Sequence, residues 1–129
     1  MSPELTFLTY YSILVMLTLL VQVLAAAQQV GLSALAGNRE GLVLTGMAFR
    51  LERATANSLF ALALITPAVV MLHLSKQSTE MAGQALLAFL LARVAYVLLY
   101  AFGVVWFRTI VWLIGFGCTA VLYVRILGF

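Results

Sequence analysis

The sequence predicts an all-α integral membrane protein, a single domain over residues 1–129 built as a bundle of four transmembrane helices. Three observations carry this. Hydrophobic residues make up 65% of the chain and charged residues 9%, against roughly 25% charged in soluble domains. Uncharged runs long enough to cross a bilayer, about 20 residues each, recur along the chain. At 129 residues, a soluble fold would bury only about two-thirds of the surface its unfolded chain exposes, so lipid must solvate the remaining apolar surface.

The first span follows from Leu5 to Asn38, which holds no charged residue, and is expected over about 5–30. No basic residue precedes it and its apolar run is longer than a signal-peptide core, so it is read as a retained helix. Gly31 and Gly37 open the loop behind it, and Gln22, Gln28 and Gln29 lie toward its C-terminal end, near the interface or facing other helices. The second helix starts near Gly46 to Phe49 and crosses over about 50–74. It carries Arg50, Glu52 and Arg53 in its first turns, followed by 22 uncharged residues from Ala54 to Ser75. Pro67 lies inside it and is expected to kink it and free a carbonyl. After the polar turn Ser75–Glu80 the third helix runs over about 81–102, interrupted only by Arg93. A tight turn from Gly103 to Arg108 leads into the fourth, over about 108–127. No internal repeat is visible.

Charge sits mostly at the breaks between these runs. The net charge of +3 lacks the clustered basic stripe of a nucleic-acid-binding protein. The first and third loops carry Arg39, Arg50, Arg53 and Arg108, whereas the opposite side has Lys76 and Arg125. The positive-inside rule therefore puts those two loops in the cytoplasm and both termini outside.

Charged residues at membrane depth are costly and face a bundle interior or an aqueous cavity. On the second helix Arg50, Arg53 and Asn57 fall at i, i+3 and i+7, one narrow face; on the third, Arg93, Tyr96 and Tyr100 repeat that spacing. Arg108 and Thr109, at the start of the fourth, close the same region. Guanidinium forks pair carboxylates, Asn57 both donates and accepts, and the tyrosines add hydroxyls and ring faces, a set suited to a small, multiply charged anion. If that ligand bears a thiol, nearby guanidinium groups favour its thiolate, and an apolar co-substrate can approach from the bilayer.

Each residue also has a structural alternative. Snorkelling or lipid-headgroup contact explains Arg50 and Arg108. Arg53 can pair with a glutamate of its own or a neighbouring subunit. Arg93 can serve interhelical hydrogen bonding, and Tyr96 and Tyr100 interhelical packing. Tyr10, Tyr11, Trp106 and Trp112 read as interfacial aromatics. Cys118 reads as a small apolar residue in the last span. His73 has no second His, Cys or carboxylate at ligand spacing, so no metal site is expected.

With these residues in place, the chain resembles the MAPEG family, membrane-associated proteins in eicosanoid and glutathione metabolism, and is most similar to its small bacterial members. The carrying segments are Gly37-Asn-Arg-Glu40, Leu44-Thr-Gly46, Arg50-Leu-Glu-Arg-Ala-Thr-Ala-Asn57, Arg93-Val-Ala-Tyr-Val-Leu-Leu-Tyr100 and Gly103-Val-Val-Trp-Phe-Arg-Thr109. The resemblance implies a homotrimer in a bacterial inner membrane, with glutathione between helices of adjacent subunits near the cytoplasmic face. By motif, Arg53 and Asn57 match the glutathione-contacting pair of the second helix, Arg93 and Tyr100 polar residues of the third, and Arg108 the arginine beside the thiol. Departures accompany the match. The family's enzymes usually carry a glutamate three residues after the asparagine, where this chain has Phe60; Ala56 replaces an arginine, Thr55 a histidine, and the proline shortly after the glutamate is missing, Pro67 lying further along. Losing that glutamate removes the expected partner for a glutathione amine and for a nearby arginine, so either the ligand differs or the polar stripe is rearranged.

Two readings follow. One is a glutathione-dependent transferase or peroxidase acting on a lipophilic small-molecule substrate; the other is a non-catalytic scaffold that binds membrane lipids or a protein partner. A transporter finds little support, since there is no second broken helix and no inverted repeat.

Overall fold

The computed structural model describes residues 1–129, all of them helix, turn or loop. In chain order the helices are α1 (Pro3–Val30), α2 (Leu32–Ala36), α3 (Gly46–Leu74), α4 (Glu80–Ala101) and α5 (Val105–Ile126). Four of them, all but α2, are long and apolar enough to cross a membrane. The shortest, at 22 residues, is about 33 Å long at 1.5 Å per residue and clears the hydrocarbon core of about 30 Å. The expected four-helix membrane bundle is what the chain forms.

Each boundary has a local cause. Ser2 caps α1, its hydroxyl accepting from the Leu5 amide, and Pro3 takes the first turn, where no amide partner is needed. Gly31, at φ +87°, ends α1. The segment behind it is not all loop as expected: a turn-and-a-half of helix, α2, precedes Gly37. Thr45 caps α3 and is itself clasped by Gln29 of α1, which accepts from the Thr45 amide at 2.8 Å and donates to its carbonyl and hydroxyl at 3.1 and 3.0 Å. That clasp is what Gln29 does near the interface. α3 ends with Lys76 in the left-handed region, φ +54°, its amide and that of Gln77 reaching back to the His73 and Leu72 carbonyls.

The turn before α5 is shorter than the sequence implied. Gly103, at φ +75°, sends its amide to the Tyr100 carbonyl while the Val104 amide reaches Leu99. This pair of bonds reverses the chain within three residues. α5 therefore starts at Val105 instead of Arg108, adding most of a turn before the arginine.

α1 packs chiefly on α3 and α4 on α5, with contacts of α4 to α1 and of α3 to α4 and α5 closing the bundle. Only 23 of 129 residues are buried, so the core is narrow and most large apolar side chains face outward, as a lipid-solvated bundle requires. Tyr11, Val15, Ile65, Val69, Leu72, Leu86, Phe89 and Leu122 form its centre. Tyr11 thus corrects the interfacial reading: it is 1% exposed, its ring meets Phe89 edge-on at 4.9 Å, and its hydroxyl donates to the Ser58 carbonyl at 2.8 Å. It falls in phase with buried Glu4, Val15 and Thr18 on α1, whereas Tyr10 points outward. α3 runs as one helix through Pro67, and the Tyr123 hydroxyl donates at 2.7 Å to the carbonyl of Leu64, three residues before the proline. The carbonyl that Pro67 leaves without its amide partner is that of Ala63, four residues back. Thr18, Thr55, Thr66 and Thr119 satisfy their hydroxyls on the carbonyl four residues back.

Two positive-φ positions give opposite outcomes. Gly103→Ala is expected to destabilise by about 1 kcal/mol, and Lys76→Gly to stabilise by a similar amount. Thermal unfolding in detergent reads both, and equal melting temperatures for the two variants would contradict this account of the turns.

Candidate functional site

The N-terminus of α3, the C-terminus of α4 and the N-terminus of α5 meet at one end of the bundle, and the polar stripes meet there with them. Arg93 is the pivot. It is 1% exposed, and its Nη2 donates to Asn57 Oδ1 at 2.9 Å and to Ser58 Oγ at 3.2 Å. Its guanidinium carbon lies 4.3 Å from the centre of the Tyr96 ring, and its Nε has no partner. A lone charge at membrane depth costs about 3 kcal/mol; two neutral acceptors and a ring face offset part of that. None of these partners carries a negative charge.

α5 makes room for this side chain. A Cβ on Gly115 would lie 3.4 Å from Arg93 Cδ and 3.9 Å from Phe89, so glycine there lets α5 close over the arginine stem. On the far side of Tyr96 the stack continues: Tyr96 and Tyr100 rings lie 5.6 Å apart, and Arg108 sits 4.3 Å over Tyr100. Guanidinium, ring, ring, guanidinium thus form one ladder from the bundle centre to the start of α5.

Three recesses surround Asn57. The largest, about 360 Å³, is bounded by Arg93 and Asn57 at one end and by Phe60, Leu64, Phe89, Trp112 and Phe116 along its walls. A second, about 220 Å³, is lined by Asn57, Tyr96, Arg108, Thr109 and Trp112. A third, about 150 Å³, is lined by Arg53, Ala56, Asn57, Phe60, Tyr96 and Tyr100. One recess is therefore mainly polar, one mixed and one mainly apolar, and Asn57 borders all three.

The structure brings Arg53, Asn57, Arg93, Tyr96, Tyr100, Arg108 and Thr109 to this end. Arg50 departs from the set: its Nε donates at 3.0 Å to the Ala101 carbonyl, and its stem lies against Gly103. It caps α4 and lines none of the three recesses. Arg53 is exposed and Thr109 turns its hydroxyl back to the Val105 carbonyl. Sequence reasoning missed Ser58, which holds Arg93, and Gly115, which admits it, and misread Tyr11, which bonds the Ser58 carbonyl, and Trp112, which is half-buried, stacks on Phe116 at 5.4 Å and walls two recesses. Ser58 follows Asn57 directly, so an i, i+3, i+7 template passes over it. No three His, Cys, Asp or Glu side chains converge anywhere in the chain.

Fold and site define a polytopic helical membrane protein with three recesses around Asn57, each bordered by one guanidinium group. The MAPEG family model matches residues 7–128, and the chain belongs to the MAPEG family. No curated protein and no solved structure matches it.

The one-sided satisfaction of Arg93 has a consequence for stability. Replacing the charge with an apolar side chain, Arg93→Met, is expected to be close to neutral. Asn57→Leu, which leaves the buried guanidinium short of an acceptor, is expected to cost about 2 kcal/mol. Unfolding of the two variants side by side tests this; a larger loss in Arg93→Met than in Asn57→Leu would contradict it.

Proposed function

We propose that the chain is a thiol-dependent transferase or peroxidase of the membrane, using glutathione or a similar anionic thiol against a lipophilic electrophile. The single observation behind this reading is that Asn57 borders a polar recess, a mixed recess and an apolar recess at once. Two substrates of opposite polarity are thereby offered adjoining spaces. Arg53 and Asn57 would bind the carboxylates and amides of the thiol ligand, and Tyr96 and Tyr100 would flank it. Arg108, held over Tyr100, would sit beside the sulfur, where its charge favours the thiolate. The electrophile would enter the apolar recess from the bilayer between Phe60, Trp112 and Phe116. The attacking sulfur lone pair forms the new bond to carbon, and the leaving group or opened ring carries away the electron pair. In this reading the recess lies on the cytoplasmic side, and a homotrimer would cover part of the outward apolar surface.

A non-catalytic, lipid-binding scaffold is the second reading. Phe60 favours it, because this side chain is 71% exposed and lines the apolar recess.

The test uses purified protein in detergent. Glutathione at about ten times its Kd is expected to stabilise by about 1.4 kcal/mol, and Arg53→Ala is expected to abolish the shift. Arg108→Leu is expected to keep binding but slow conjugation of an aromatic electrophile by about 100-fold. No shift and no turnover at millimolar thiol would leave the scaffold reading standing.

A further inference from the structure

Around Asn57 the charge is one-sided. Arg53, Arg93 and Arg108 border the three recesses, and no carboxylate does. The chain has four acidic side chains, Glu4, Glu40, Glu52 and Glu80. Glu4 is buried against Ser78 and Glu80 opens α4, both at the opposite end of the bundle. Glu40 is in the exposed loop before α3. Glu52 is exposed and lies about 140° around α3 from Asn57 at 100° per residue. Phe60 stands one turn beyond Asn57, on the border between the apolar recess and the recess of Arg53. The amide oxygen at the centre already faces a cation, because Asn57 Oδ1 accepts from Arg93.

An anion entering this space meets donors on every side. A free ammonium meets three guanidinium groups that repel it and no carboxylate to pair with, which leaves it only neutral oxygens and ring faces. We propose that the site selects a multiply anionic thiol that carries no free ammonium, and that it discriminates against glutathione because of glutathione's amine. The proposal rests on the thiol-binding reading above and names its substrate class. The discrimination acts through the unfavoured ligand: an unpaired charge penalises one thiol and leaves the contacts to the other unchanged.

Two ligands decide it: glutathione and its desamino analogue, in which hydrogen replaces the amine and both carboxylates and the thiol remain. Their Kd values are measured at pH 7.5 on the detergent-solubilised wild-type chain and on Phe60→Glu. The wild type is expected to bind the desamino analogue at least about tenfold more tightly. In Phe60→Glu, where a carboxylate borders the recess, that ratio is expected to fall below about twofold or invert. Equal or tighter binding of glutathione by the wild type overturns the proposal while leaving a thiol site in place. Binding of neither ligand overturns both the proposal and the reading beneath it. Should Phe60→Glu fail to fold, the wild-type ratio alone decides.

Discussion

A guanidinium held in the bundle interior without a counter-ion is the constraint on which the polar half of this protein depends. Arg93 is 1% exposed and bonded only to neutral groups. Each neighbour has a form that follows from that. Ser58 is small enough to sit beside Nη2 and also lends its carbonyl to Tyr11, tying α1 into the same cluster. Gly115 leaves room for the arginine stem where α5 approaches. Tyr96 lays a ring face against the charge. The four spanning helices are thus joined at one level through a single side chain, although the apolar core that binds them lies mainly on the other side of Phe89.

Lipid explains why so few polar contacts suffice. Between apolar helices in a bilayer there is no hydrophobic force comparable to that in water, so interhelical packing and hydrogen bonds set the arrangement. The bonds that cross between helices are few: Tyr11 to Ser58, Tyr123 to Leu64, Arg93 to Asn57 and Ser58, Arg50 to Ala101, the Gln29–Thr45 clasp at the start of α3, and Arg125 to the Met81 sulfur. All but the last two have one end on α3, which makes α3 the helix against which the others are registered.

The spans were legible because charge is the strongest signal a membrane sequence carries: long uncharged runs announce helices, and the few charged residues mark their ends. Turn chemistry was less legible. Gly103 announces a reversal, but only the paired bonds to Leu99 and Tyr100 show that it takes three residues instead of five, and so α5 was expected to start too late. The polar stripes of α3 and α4 could be read from helical spacing, and most of their members do meet. Arg50 could not be separated from Arg53 by spacing alone, since the difference is the reach of one side chain to a carbonyl 51 residues away in sequence. Tyr11 was misplaced because residue type was weighed above phase: the period set by Glu4, Val15 and Thr18 puts it in the core.

The departure at position 60 also takes on a physical meaning. Phe60 lines the same recess as the buried arginine and offers it no acceptor. Arg93 is held by the neutral oxygens of Asn57 and Ser58. This arrangement serves Nη2, leaves Nε without a partner and does not neutralise the charge, since oxygen dipoles screen a guanidinium without cancelling it. Under the proposed function, that charge is left for the ligand to balance. Position 60 then acts on which ligand the recess accepts and leaves the bundle's shape alone.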